Sequence, residues 1–145
     1  MCVTAHIHIN LLDLQKAQSL LARVVTRSPQ SCSSCTLLHH LHWLPIKHHI
    51  DFIIANITYR TLYFFQLAYL RSSLHACHST RSLRLTNTNL LSAAFVCTSF
   101  GTRSFSIAVP KIWNSLPSSL HTCTSPDTFR RHLRTHCCLH AFQPT

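Results

Sequence analysis

One glycine, Gly101, serves a chain of 145 residues, where average usage would supply about ten. Glycine is the residue that reaches positive φ without a steric cost, so few tight turns are expected to use that region. What organises the chain instead is a series of helical stripes divided by prolines and short polar runs. The expected fold is mostly α: a small helical domain or fragment, with an irregular or short-strand segment around 82–98.

The first stripe is Ile7, Leu11, Leu14, Gln18, Leu21 and Val25, apolar at the helical period with one polar break. Asn10 is expected to cap this helix, with Asp13 at the third helical position, and "RSPQS" ends it at Pro29. Lys16, Arg23 and Arg27 lie off the stripe, which makes the helix basic and amphipathic. A polar loop over 28–34 leads to a short helix over 36–42. That helix stops before Pro45, because a residue preceding proline avoids the α region. Pro45 suits the first turn of the next helix. There Ile50, Ile53, Ile54, Ile57, Leu62 and Phe65 cover most of the circumference. Lys47, Asp51, Ala55 and Thr58 are left as a narrow strip for water.

The pattern weakens from Arg71 to Thr98, where "LLSAAFV" suits a strand or an irregular apolar segment equally. Phe105, Ala108, Val109, Ile112, Trp113 and Leu116 then form one helical face. Thr102 is its expected cap, Pro110 should kink it and Pro117 end it. On this face Trp113 reads as a core anchor, with base stacking the sharper alternative. In the last helix Ser125 caps, Pro126 takes the first position and Asp127 sits near the positive helix end. Phe129, Leu133 and Cys137 point inward; Arg130, Arg131 and Arg134 point outward.

Charge narrows the partners. Thirteen Lys and Arg face three acids, Asp13, Asp51 and Asp127, for a net charge of +10. Such a balance favours polyanions, either nucleic acid or an anionic membrane surface. Ile50 to Leu70 is long enough to span a bilayer, yet it contains Asp51, Asn56, Arg60 and Gln66. A buried core helix is the expectation, with a membrane-associated helical peptide the alternative. The start, "MCVTAHIHINLLDLQ", lacks the basic and apolar regions of a signal peptide. The eight cysteines are therefore expected as free thiols in a reducing, intracellular compartment.

Six segments occur in a fixed order: "LARVVTR", "LHWLPI", "ITYRTL", "TRSLRL", "FGTRSFSIAVPKIWNSLP" and "SPDTFRRHLRTH". Together they resemble the C-terminal region of reverse transcriptases from LINE-type, non-long-terminal-repeat retrotransposons, in the part that follows the polymerase palm. The resemblance covers residues 20–142, within a single region spanning 1–145. Trp43, Pro45, Gly101, Phe105, Pro110, Trp113, Asn114, Leu116 and Pro117 are its structural-motif positions. The chain also departs from the family. Where the family has a short run with Gly and Pro, as in "HGLAPSYL", this chain has "YFFQLAYL", so the helix from Pro45 is expected to run on. Cys35-Thr36 replaces a Thr-Pro start, and His121, Cys123 and Cys138 stand where the family often has Arg or small residues. Deamination of methylated CpG converts Arg codons in this way, so the chain reads as an open reading frame in a decayed element copy.

The resemblance implies that catalysis belongs upstream, in the palm, where paired aspartates hold two metal ions. Here the three aspartates stand far apart and there is no Glu, so no enzyme activity and no cofactor are expected. The region implied is a thumb-like helical module that holds the template–primer through its phosphate backbone. Arg23, Arg27, Lys47, Arg103, Lys111, Arg130, Arg131 and Arg134 lie on polar helix faces and are the candidate contacts. The expected partners are an RNA–DNA duplex or other nucleic acid, and the missing palm of the parent polymerase. A competing reading is a small zinc module, since Cys32-x-x-Cys35 followed by His48 opens like a zinc finger. Its second histidine is missing, because Phe52, Ile53 and Ile54 occupy the places where it should come. A large apolar helix without its palm partner also predicts an exposed apolar patch and aggregation.

Overall fold

The structure is a computed structural model that describes residues 3–65, 68–76, 90–92 and 104–142, with side chains from Asn10 onward. Among the described residues there are seven helices: α1 (Val3–Thr26), α2 (Ser34–His40), α3 (Ile46–Tyr63), α4 (Ala68–Arg71), α5 (Phe105–Ser115), α6 (Ser118–His121) and α7 (Pro126–Phe142). The chain is mostly α, as its stripes require. Of the expected irregular segment around 82–98, the described part is Leu90 to Ser92, where Leu91 makes an isolated antiparallel bridge with Ala76. The rest of it lies outside the described residues, as do Thr102, Gly101 and Arg103.

The chain forms two compact units. One comprises Met1–Phe52 with Arg134–Thr145, the other Ile53–Leu133. In the first unit α1 packs on α2. The helix begins at Val3, so Asn10 lies inside it and caps nothing. Its predicted stripe is also misplaced. Leu14, Leu21 and Val25 are exposed, whereas Ala22 is fully buried and Leu11, Gln15, Gln18 and Thr26 are half-buried. The reason is polar. Gln15 Nε2 donates to Gln18 Oε1 at 3.0 Å, Gln18 Nε2 donates to the Leu44 carbonyl at 2.8 Å, and the Ile46 N–H donates to Gln15 Oε1 at 2.9 Å. The polar break in the stripe is what ties α1 to the segment entering α3, and it satisfies a backbone donor that a helix N-terminus leaves open.

Both α1 and α2 end in left-handed residues that are not glycine. The Arg27 N–H bonds the Val24 carbonyl and the Ser28 N–H the Arg23 carbonyl, with Arg27 at φ 51. The His42 N–H bonds His39 and the Trp43 N–H bonds Leu38, with His42 at φ 54. These are Schellman closures built without the residue that normally holds the left-handed position. Scarcity of glycine therefore does not keep the chain out of positive φ; helix ends demand it, and Arg27, His42 and Phe65 supply it at a steric cost.

Pro45 sits immediately before α3, its carbonyl accepting from His49 at 2.9 Å. Contrary to the sequence expectation, Ala55 and Thr58 are buried, and Ile50 and Ile53 are exposed. Small side chains make the buried strip of this helix, and the Thr58 and Thr61 hydroxyls return to the carbonyls of Ile54 and Ile57 at 2.7 and 2.9 Å. Nor does α3 run on through "YFFQLAYL". It stops at Tyr63, with Phe65 at φ 55. Arg71 substitutes for the absent Gly and Pro: its guanidinium lies 4.1 Å over the Phe65 ring and donates to the Leu62 carbonyl at 3.0 Å. A cation at a helix C-terminus is favourable in itself.

The second unit is centred on three aromatic rings. Tyr59, Trp113 and Phe129 are fully buried; Tyr59 stacks on Phe129 at 4.0 Å, and Trp113 lies 6.1 Å from the same ring. Val109, Pro110, Ile107, Leu120 and Leu133 complete the core. Ser125 precedes α7 and accepts from Phe129 N–H at 3.0 Å, with Pro126 the first helical residue. The inward face of Phe129, Leu133 and Cys137 is as the sequence pattern requires. Ser104 precedes α5, Pro110 falls inside it, and the helix closes at Ser115 just before Pro117.

Candidate nucleic-acid interface

Beside the buried stripe of α7, Arg130, Arg131 and Arg134 are exposed. Their spacing of one and three residues keeps them on one side of the helix, because 3.6 residues complete a turn. The apolar residues at 129, 133 and 137 thus turn the arginines outward. Arg134 donates weakly to the His42 carbonyl at 3.5 Å. Lys111 on α5 and Lys47 on α3 are also accessible to solvent. Arg27 is exposed at the α1 closure. Arg23 differs from the rest. It is half-buried, and its Nη2 donates to Ser34 Oγ at 2.9 Å and towards the Cys32 carbonyl at 3.5 Å. Its Nε is buried without a partner. Arg23 joins α1 to the start of α2 and is a poor phosphate contact.

Among the described motif residues, Pro110 and Trp113 are buried in the core. Trp113 is fully enclosed, which removes it as a base-stacking platform, and the His121 ring meets it edge-on at 4.7 Å. Asn114 is the surprise of the motif. Its Nδ2 donates to the Leu91 carbonyl at 2.8 Å and its Oδ1 accepts from the Leu91 N–H at 2.9 Å. One amide thereby reproduces both hydrogen bonds that a neighbouring strand would make. Tyr59 and Tyr63 hydroxyls donate to the carbonyls of Cys123 and His121 at 2.8 and 2.6 Å, fixing the segment between α6 and α7. Burial and the neighbouring Tyr63 and Cys123 push the Tyr59 phenol up.

Two groupings are not apparent in the sequence. His48, His136 and His140 come together in the first unit, with ring centroids 5.7 Å apart for His48–His140 and 6.3 Å for His136–His140. Burial lowers the pKa of His48, helped by His140 and Lys47 and opposed by Asp51. Burial and His140 likewise lower that of His136. The four-residue spacing of His136 and His140 is the one signal of this grouping in the sequence. In the second unit Cys123 Sγ lies 3.9 Å from His132 Nδ1, a proximity set by the turn before α7 that no sequence spacing announces.

Cys32, Cys35, Cys123, Cys137 and Cys138 are free thiols. Among the described residues no three His, Cys, Asp or Glu side chains stand where they could hold a metal ion, so Cys32, Cys35 and His48 do not assemble the zinc-finger start. Asp13, Asp51 and Asp127 lie on three different helices. An apolar hollow of about 270 Å³ is lined by Leu62, Tyr63, Ala76, Leu90 and Leu91. Among the described residues no helix is long and apolar enough to cross a membrane. Comparison with protein-family models, curated proteins and solved structures finds no match to this chain.

Proposed function

We propose that this chain is the non-catalytic, thumb-like helical region of a LINE-type reverse transcriptase, which in the parent enzyme packs beside the palm and contacts the phosphate backbone of the template–primer. The observation that carries the reading is the two-sided build of α7. Phe129, Leu133 and Cys137 are buried while Arg130, Arg131 and Arg134 stand in solvent, within the segment "SPDTFRRHLRTH" that also carries the family resemblance. Lys111, exposed on α5 of the "FGTRSFSIAVPKIWNSLP" segment, adds a further cation. A net charge of +10 supports backbone binding without sequence readout. The cysteines and histidines that replace family arginines fit a decayed copy; in its DNA, TG and CA dinucleotides should dominate those codons.

The test is binding of the purified chain to a labelled RNA–DNA duplex across a salt series, with heparin as competitor. The proposal expects log K to fall linearly with log salt and the duplex to be preferred over heparin. Replacing Arg130 and Arg131 by Gln should reduce the salt slope by about one for each phosphate that is no longer neutralised. Replacing Arg23 should leave that slope unchanged. Equal affinity for any polyanion would overturn the proposal.

A further inference from the structure

The exposed side of α1 has a regular pattern of its own. Leu14, Ala17, Leu21 and Val24 follow one another at spacings of three or four residues, the seam of a helix pair. Leu14 is 53% exposed, Leu21 54% and Val24 73%; Ala17 is exposed as well, and Leu20, 58% exposed, flanks the seam. The buried and half-buried side of α1 is a different one, made by Gln15, Gln18 and Ala22. The length of α1, 24 residues, is enough to present the seam as a rigid rod.

We infer that this seam is the contact between two copies of the chain, laid antiparallel along α1. Two observations select that occupant and that direction. The first is size: in an antiparallel pair Leu14 meets Val24 of the other copy and Ala17 meets Leu21, so small sits opposite large in the inner layers. A parallel pair stacks Ala17 on Ala17 and leaves a void. The second is charge. Asp13 flanks one end of the seam and Arg27 the other, on the same side as Leu20. Antiparallel packing sets Asp13 beside Arg27 of the partner, twice by symmetry, and Leu20 against Leu20. Parallel packing sets Arg27 level with Arg27. Opposed helix dipoles favour the same direction. Asp13 is free to make this exchange, since its present partner Lys16, at 3.3 Å, forms a solvated pair on the surface.

The net charge of +10 on each copy opposes the pairing at long range, so added salt strengthens it. That is the reverse of the salt dependence of nucleic-acid binding, and the two surfaces are thereby separable in one titration.

Sedimentation equilibrium of the full chain, over a concentration series reaching roughly 1 mM, tests the pair. The expected result is a mass that levels off at two chains and a pairing that tightens with salt. Leu21→Glu should weaken it at least about tenfold, as a buried unpaired carboxylate would. Leu12→Glu, on the far side of α1 and equally exposed, should leave it intact. Asp13→Arg and Arg27→Asp should each weaken the pair roughly threefold, and the double exchange should restore it. A monomer at every concentration, a mass that climbs past two chains without a plateau, or equal damage from Leu12→Glu and Leu21→Glu overturns the inference. Failure of the double exchange to restore pairing overturns the antiparallel arrangement. Far-UV circular dichroism of each variant checks that α1 is retained.

Discussion

The core around Trp113 and the outer side of α1 are both rich in large apolar residues and have opposite fates. Tyr59, Trp113 and Phe129 are wholly enclosed, whereas Leu14, Leu20, Leu21 and Val24 each keep more than half of their surface in water. The difference does not lie in hydrophobicity. Around Trp113, hydroxyls and amides fasten the surrounding backbone: Tyr59 to Cys123, Tyr63 to His121, Asn114 to Leu91. On α1 the polar anchors Gln15, Gln18 and Arg23 lie beside the apolar stripe and pull a different face inward. Where a helix is fastened decides which of its sides is buried.

Substitution sharpens that contrast most. Trp113→Ala should lower unfolding free energy by about 3–5 kcal/mol, while Leu21→Ala, at a site the core does not use, should stay within about 0.5 kcal/mol in dilute solution where copies are unpaired; urea titration of the two variants there reads the difference. Equal losses would mean that α1 is enclosed after all. Tyr59→Phe leaves the Cys123 carbonyl without its donor and should cost about 1–2 kcal/mol by the same titration. Arg27→Gly and His42→Gly relieve a left-handed strain and should each raise stability, by up to about 1 kcal/mol. A loss at either site would show that the side chain contributes more than its backbone angle costs.

The smallest expected effect is that of pH. His48 and His136 titrate below the usual imidazole value, so the unfolded chain takes up protons first. Stability is therefore full above about pH 6.5 and declines as pH falls through it, until the folded imidazoles are charged as well. His48→Gln with His136→Gln should flatten the slope of urea midpoint against pH between about 7.5 and 5.5. Because both rings are only half-buried and stay in contact with solvent, the slope is shallow.

Much of the architecture is legible in the residues. The short helix before Pro45, the Ser125-Pro126 start of α7 and the enclosure of Trp113 all follow from capping, proline geometry and period. What escapes is which side of a helix is covered, because that depends on partners distant in the chain. On α3 the large isoleucines suggest the buried side, yet the small Ala55 and Thr58 hold it. The stop at Phe65 is hidden for a similar reason, since its lock is Arg71, further along the chain. For the candidate interface, the α7 arginines are readable from the period, but the engagement of Arg23 with Ser34 requires the fold.

Cys137 gives the protein a clock. It is buried, and burial, with Asp51 and Cys138 adding to it, pushes its thiol up to about 11. A closed molecule therefore presents it neither as a thiolate nor to a reagent, whereas Cys35 is exposed. Alkylation of Cys35 reports arrival of the reagent, and alkylation of Cys137 reports how often the end of α7 lets go. Timed labelling followed by mass spectrometry would thus count breathing events at a single turn of helix, in a protein left otherwise untouched.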